Sequence, residues 1–387
     1  MQRTWQKYSS LILATRAKDW RFSFIPQIFG NLYLWLILFK IPFSGKSILL
    51  LILSLITSFG FAALGYFINE FFDKESDTKA GKINKLMLIS GSKQFALFVC
   101  IMLFTFLPWI VLPYNQNSLF LIALQIILFV VYAMPPFRFK QLPYLSIITD
   151  ALYAYILPLL LSFYTYSLFV KSTPIDIIFL VFYAALLLVA GIRNIIIHYI
   201  NDIFKDKKSG IITLPRILGV NGTNNLLKFL LVTELGISIG VIYILGQEQP
   251  WLWLLIVAVF YLIYRAYIQV RTMYDNIIVN RPIRHLPDLY YQVFAPAIIL
   301  LALVVQDYYW LLIVPVHVVL FVPAFRLHPI ISWFQRINFR LYYIWLRQLI
   351  SWIVNYTIFF LFLLVGVNLK SRQTSAMGFV KKKLHLK

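Results

Sequence analysis

The sequence predicts an all-α, polytopic transmembrane helical bundle, and three observations carry that prediction. Hydrophobic residues make up 61% of the 387-residue chain and charged residues only 13%. Mean hydropathy is +0.80, which is more apolar surface than a soluble domain can hide. The apolar residues fall into runs of about 20, the length that crosses a bilayer as a helix, with short polar connections between them.

Taken in order, spans are expected near 22–43, 46–68, 94–113, 118–134, 146–168, 174–200, 226–246, 250–270 and 290–306, with two weaker ones near 309–325 and 344–366. A basic N-terminal segment (Arg3, Lys7, Arg16, Lys18, Arg21) precedes the first span. Met1 to Arg21 is too polar for a cleavable signal peptide, so the first span is expected to be retained. Positive charge then falls on alternate connections: Lys74 to Lys93, Arg138 and Lys140, Lys205 to Arg216, and Arg265 to Arg284. The intervening connections are nearly uncharged apart from Lys46 and Lys171. The positive-inside rule therefore places the N-terminus on the cytoplasmic side of the cell (inner) membrane. Pro315 and Pro323 make 309–325 the weakest span. Eleven crossings would also leave the basic tail outside, against the same rule. Aromatics at 18% supply interfacial belts of Trp and Tyr. The single cysteine, Cys100, excludes an intrachain disulfide and a thiolate metal cluster. The net charge of +21 sits between the apolar runs, where it fixes topology and meets anionic lipid or phosphate; nucleic acid is not an expected partner, and protein partners are not assigned.

The chain has only 14 acidic residues, yet several form two matched sets. Asn69, Asp73 and Asp77 stand four apart where the second span ends. On a helix, steps of four drift only about 80° over roughly 12 Å, so the three share one face and Glu70 falls off it. They offer oxygen ligands alone, which suits Mg²⁺ and argues against zinc. A second stripe, Asn194, His198, Asp202 and Asp206, repeats the spacing where the sixth span meets a lysine-rich loop. Lys82 and Lys85 follow the first set, and Lys207 and Lys208 the second, as candidate clamps for phosphate oxygens. A single Asp-Lys pair at a helix end is commonly a solvated surface pair. Two stripes on the same predicted membrane face favour a metal–diphosphate site, because ionisable groups at that depth are costly and usually functional. Arg193, one position off the stripe, is expected to pair with another helix.

Three motifs resemble those of the UbiA-type membrane prenyltransferases. Asn69-Glu-Phe-Phe-Asp73-Lys-Glu-Ser-Asp77 followed by Lys82-Ile-Asn84-Lys85 is similar to NDxxDxxxD…KxNRP. Tyr132-Ala-Met-Pro135-Pro136-Phe-Arg138-Phe-Lys140 is similar to YxxPPxRxK, and Asp202-Ile-Phe-Lys-Asp206, continuing to Thr213-Leu214-Pro215, to DxxxDxxxGxxTLP. The resemblance covers roughly 10–305. It implies a nine-helix core over 1–306 with a central, laterally open cavity, plus one or two extra helices and a basic tail in 307–387. It also implies Mg²⁺-dependent transfer of a prenyl group from a prenyl diphosphate to a lipophilic, commonly aromatic, acceptor, among membrane lipids. By the same resemblance Asn69, Asp73, Asp77, Asp202 and Asp206 hold the metal, and Arg16, Lys82, Lys85, Arg138 and Lys140 contact diphosphate. Tyr132 lies near the prenyl C1, completing the catalytic set with the four aspartates. Departures are Ala17, Glu70 and Leu86 where the family has proline, aspartate and proline.

Some residues keep two readings. Arg138 and Lys140 serve either as phosphate contacts or as positive-inside anchors. Asn194 and His198 are acceptor-side candidates, and for His198 a neutral side chain bonded within the bundle is the competing expectation. At the level of function, phosphosugar transfer to a polyprenyl phosphate and terpene cyclisation are alternatives on the same fold. A cation-coupled transporter is the alternative of another class, disfavoured because these acids sit at helix ends rather than at the midplane. After 307, Arg326, His328, Arg336, Arg340 and Arg347 read as an interfacial amphipathic connection.

Overall fold

A computed structural model describes 14–20, 24–79, 81, 83–171, 175–208, 210–260, 263 and 290–321. All these residues belong to one unit, Met1–Ala324. The predicted segments around 265–284, 326–347 and 344–366 lie outside the described residues. So do Lys82 and the side chains of Lys205, Asp206, Lys207 and Lys208.

All regular structure among the described residues is helical. The helices are α1 (Ile25–Leu38), α2 (Gly45–Lys79), α3 (Gly91–Phe106) and α4 (Gln116–Ala133). After them come α5 (Pro143–Val170), α6 (Ile177–Lys208) and α7 (Leu214–Glu248). The remaining described helices are α8 (Pro250–Phe260), α9 (Tyr290–Gln306) and α10 (Tyr308–Phe321). Six of them are long and apolar enough to span a bilayer, and large apolar side chains such as Phe95, Ile110 and Val232 are exposed on the outside. The chain is an integral membrane protein.

The predicted spans recur with revised ends. α2 runs 11 residues beyond the expected 68, because Asn69 to Lys79 simply continues the helix, and α6 likewise reaches Lys208. Both acid stripes are therefore helical throughout, as their spacing required. α7 begins at Leu214, not 226, with Pro215 in its first turn, where a missing N–H costs nothing. Gly219 (φ 65) then kinks it. The segment predicted at 309–325 forms the short α10, whose His317 meets Tyr33 of α1 (3.2 Å).

Side chains define the helix starts. Ser44 and Ser47 exchange backbone-to-hydroxyl bonds at the head of α2 (2.8 and 3.1 Å), and Asn115 and Ser118 form the equivalent box for α4. Neighbouring helices close a ring: α1 contacts α2, α2 contacts α3 and α4, and α4 leads through α5, α6, α7 and α8 to α9, which returns to α1. α1 is the most buried member. Two polar bonds strap it in place, Trp35 Nε1 donating to Ser162 (2.8 Å) and Tyr183 donating to Asn31 (2.5 Å).

The α2–α3 crossing is close enough to exclude a methyl group. A Cβ on Gly60 would lie 2.6 Å from the Thr105 backbone, and Thr57 next to it donates to the Thr105 carbonyl (2.6 Å). Small residues serve this purpose in membrane interfaces. Gly60→Ala is expected to push the helices apart and cost about 1–3 kcal/mol, read as a lower melting temperature in detergent.

Candidate active site

Within the ring lies a cavity of about 470 Å³, in the range of small-molecule sites. α2 lines it with one continuous stripe, from Ser54 through Phe61 and Gly65 to Asn69. Those 16 residues span about 22 Å, most of the hydrocarbon thickness. Asp73 and Asp77 extend the same stripe beyond the cavity mouth. α6 contributes Asn194, His198 and Asn201 to the wall, so both sequence stripes face one space. α5 reaches it through a π-helical turn at Leu152–Ile156, which turns Tyr153, Ala154 and Tyr155 inward together. With Tyr66, Phe129 and Tyr132, these rings make the upper wall aromatic.

At the mouth, the connection between α4 and α5 folds back onto the first stripe. Arg138 donates to Asp73 Oδ1 (2.9 Å) and to Ser76 Oγ (2.9 Å). Lys140 donates to Asn69 Oδ1 (3.0 Å) and to Asp73. Arg138 adopts a left-handed backbone (φ 39), a costly conformation for a non-glycine residue and one that clusters at functional sites. Its Nε is buried with no hydrogen-bond partner among the described residues. Burial pushes the Lys140 ammonium down from its usual range, and Asp73 beside it acts against that shift.

Glu70 is the residue that sequence reasoning undervalued. It does fall off the stripe, and it is buried there, accepting from Arg16 Nη1 (3.0 Å) and from the Lys85 amide (2.9 Å). Asn84 Nδ2 donates both to the Glu70 carbonyl (2.8 Å) and to Asp77 Oδ2 (3.0 Å). Arg16, expected on diphosphate, is thus ion-paired to Glu70 and lies over the Tyr66 ring (5.0 Å), while still lining the cavity. The Lys85 amide is held by the Glu70 carboxylate. Glu70→Ala removes a charge-assisted pair and a loop anchor, both part-buried. It is expected to lower stability by about 1.5–3 kcal/mol and to speed amide exchange at Lys85 in hydrogen-exchange mass spectrometry.

On the second stripe His198 is 60% exposed and its Nε2 stands 3.5 Å from Asp202. It stands one turn from Asp202 on its own helix while lining the cavity. Asn194 donates to the Tyr155 hydroxyl (2.7 Å). Tyr132 packs edge-on against Tyr153 (5.4 Å). Arg193 fulfils its expectation: it is fully buried and pairs with Glu234 of α7 (2.6 Å). Among the described residues no three acids or histidines converge on a point. The stripes present instead a row of oxygen donors, whose central acid, Asp73, is answered by two cationic side chains.

The model of the UbiA prenyltransferase family matches residues 32–278. The chain belongs to the UbiA prenyltransferase family. Its members are transferases of prenyl groups, and solved UbiA-type structures share the fold. A digeranylgeranylglyceryl phosphate synthase aligns at a TM-score of 0.52 and 19% identity, covering 78% of this chain and 98% of that one. A UbiA homologue from Aeropyrum pernix K1, solved in the apo state, gives 0.50 and 15%, with 73% and 97% covered. One from Archaeoglobus fulgidus, bound to GPP and Mg²⁺, gives 0.48 and 18%, with 76% and 99% covered. No curated protein sequence matches the chain. Within the UbiA family match lie both acid stripes and the Arg138–Lys140 connection.

Proposed function

We propose that the protein is a Mg²⁺-dependent intramembrane prenyltransferase. It moves a prenyl group from a prenyl diphosphate to a lipophilic acceptor, on the cytoplasmic side of the cell membrane. The observation that supports this most is that Asn69 of one stripe and Asn194 and His198 of the other line one aromatic-walled cavity, with Arg138 and Lys140 bonded to the first stripe. The buried, unpartnered Nε of Arg138 fits an anion in that position.

The donor set fits Mg²⁺, since every ligand offered is an amide or carboxylate oxygen. Asn69, Asp73 and Asp77 on α2, with Asp202 and Asp206 on α6, would hold it, and there it would neutralise charge on the departing diphosphate. Arg138 and Lys140 donate to the diphosphate oxygens. Tyr132, Tyr153 and Phe129 present ring faces to the allylic cation that remains, and the apolar wall keeps water from it. Ser54 and Trp109 line the far end of the cavity, which accommodates the chain.

Membranes assayed with Mg²⁺ and labelled prenyl diphosphates are expected to release diphosphate and form a lipophilic product, and chelation should stop both. If diphosphate release ignores the metal, the reading fails. Mass spectrometry of lipids that copurify with the protein identifies the acceptor.

A further inference from the structure

The cavity has a floor, and one indole ring makes most of it. Trp109 and Leu112 line the end farthest from the acid stripes, in and just after the tight turn Leu107–Ile110 that follows α3. Trp109 is only 9% exposed. Its Nε1 donates to Thr57 Oγ1 (3.0 Å), and Thr57 in turn donates to the Thr105 carbonyl (2.6 Å). Both bonds are buried. The α2–α3 crossing that carries them leaves no room for a methyl group between Gly60 and Thr105. An indole held in this way cannot swing aside without stranding its N–H in an apolar interior, which is costly.

Above the floor the wall suits hydrocarbon. Ser58, Ser162 and Thr165 line it, and each turns its hydroxyl proton onto a carbonyl of its own helix, at 2.7, 2.8 and 2.8 Å. Gln125 likewise spends an amide N–H on the Tyr153 carbonyl (2.7 Å). Helix geometry fixes the depth. Thr57 precedes Asn69 by twelve positions on α2, about 18 Å along the axis. An isoprenoid unit adds four chain carbons, about 5 Å when extended at C–C bonds near 1.5 Å. Three units from the mouth therefore reach about 15 Å and stop short of the indole, whereas a fourth reaches about 20 Å and meets it.

We propose that Trp109, pinned through Thr57, sets the length of the prenyl chain this protein accepts, and that this chain has three isoprenoid units. The proposal rests on the prenyltransferase reading above and adds a donor length to it. The tail runs down the stripe of α2 to a closed end instead of passing out through the side of the bundle. Trp109 acts on specificity alone: it stands about 18 Å from the mouth, where the prenyl C1 lies, and takes no part in bond making.

The test measures binding of geranyl, farnesyl and geranylgeranyl diphosphate to the full chain in lipid nanodiscs with Mg²⁺. Wild type is expected to bind farnesyl diphosphate most tightly. Its margin over geranylgeranyl diphosphate should be at least tenfold, since one misfitting methylene is worth about 10–200-fold. Trp109→Ala should open the floor and shift the geranylgeranyl-to-farnesyl affinity ratio at least tenfold toward the longer chain. Thr57→Val keeps the indole but removes its acceptor. It should shift the ratio the same way by about threefold, the scale of one net hydrogen bond, and it decides the matter if Trp109→Ala does not fold. Ile110→Ala, on the same turn but 77% exposed, should leave the ratio at the wild-type value. The proposal is overturned if wild type binds geranyl or geranylgeranyl diphosphate as tightly as farnesyl diphosphate, the latter being what a tail leaving sideways would give. It is also overturned if folded Trp109→Ala or Thr57→Val keeps the wild-type ratio, or if Ile110→Ala shifts it as far as Trp109→Ala does. Wild type binding none of the three would instead overturn the prenyltransferase reading, and the length limit with it.

Discussion

Replacing Asp73 and Asp202 together by alanine should reduce Mg²⁺-dependent prenyl transfer by roughly 10³-fold or more, since loss of a single well-aimed electrostatic partner costs about 10²–10³. Each stripe loses a central oxygen donor. The loss at Asp73 is compounded, because that carboxylate organises both Arg138 and Lys140. Without it the two cations repel one another beside the cavity mouth. The measurement is labelled product formed in membranes at matched protein level, with binding of prenyl diphosphate followed in parallel. Full activity in the double variant would remove the proposed site.

The largest stability effect is expected far from that mouth. Arg193 of α6 makes two contacts to Glu234 of α7, at 2.6 and 3.3 Å, with side-chain exposures of 0% and 4%. The pair ties α6 to α7. Glu234→Ala strands a buried guanidinium and should destabilise the protein by about 3–5 kcal/mol. Arg193→Met combined with Glu234→Leu should recover most of that loss, because a packed apolar pair carries no desolvation cost. Thermal unfolding in detergent compares the two. If the single variant melts like wild type, the pair is not what ties these helices.

Much of this was legible in the sequence because helices convert spacing into direction. Four-residue steps placed Asn69, Asp73 and Asp77 on one face, and the structure continues α2 through all three. The same logic set Arg193 off the stripe and toward a partner helix. It failed at Glu70 because face assignment says only where a side chain is not. Its partners, Arg16 and the Lys85 amide, are 54 and 15 residues away, and nothing in local spacing specifies such contacts. Helix ends were the other loss: polar residues after 68 and 200 looked like loop, whereas backbone hydrogen bonding carried α2 and α6 through them.

The unbroken stripe along α2 has a consequence for how this chain can change. Substitutions between Ser54 and Asp77 alter one position at a time and leave the register intact. Inserting or deleting a single residue between Phe61 and Asn69 would rotate everything after it by about 100°. The helix would still be apolar and would still cross the membrane, yet its oxygen donors would point into a neighbour while the cavity wall stayed in place. Length in this segment is therefore constrained more tightly than composition, and variation among relatives is expected to come as replacements there and as indels in the connections.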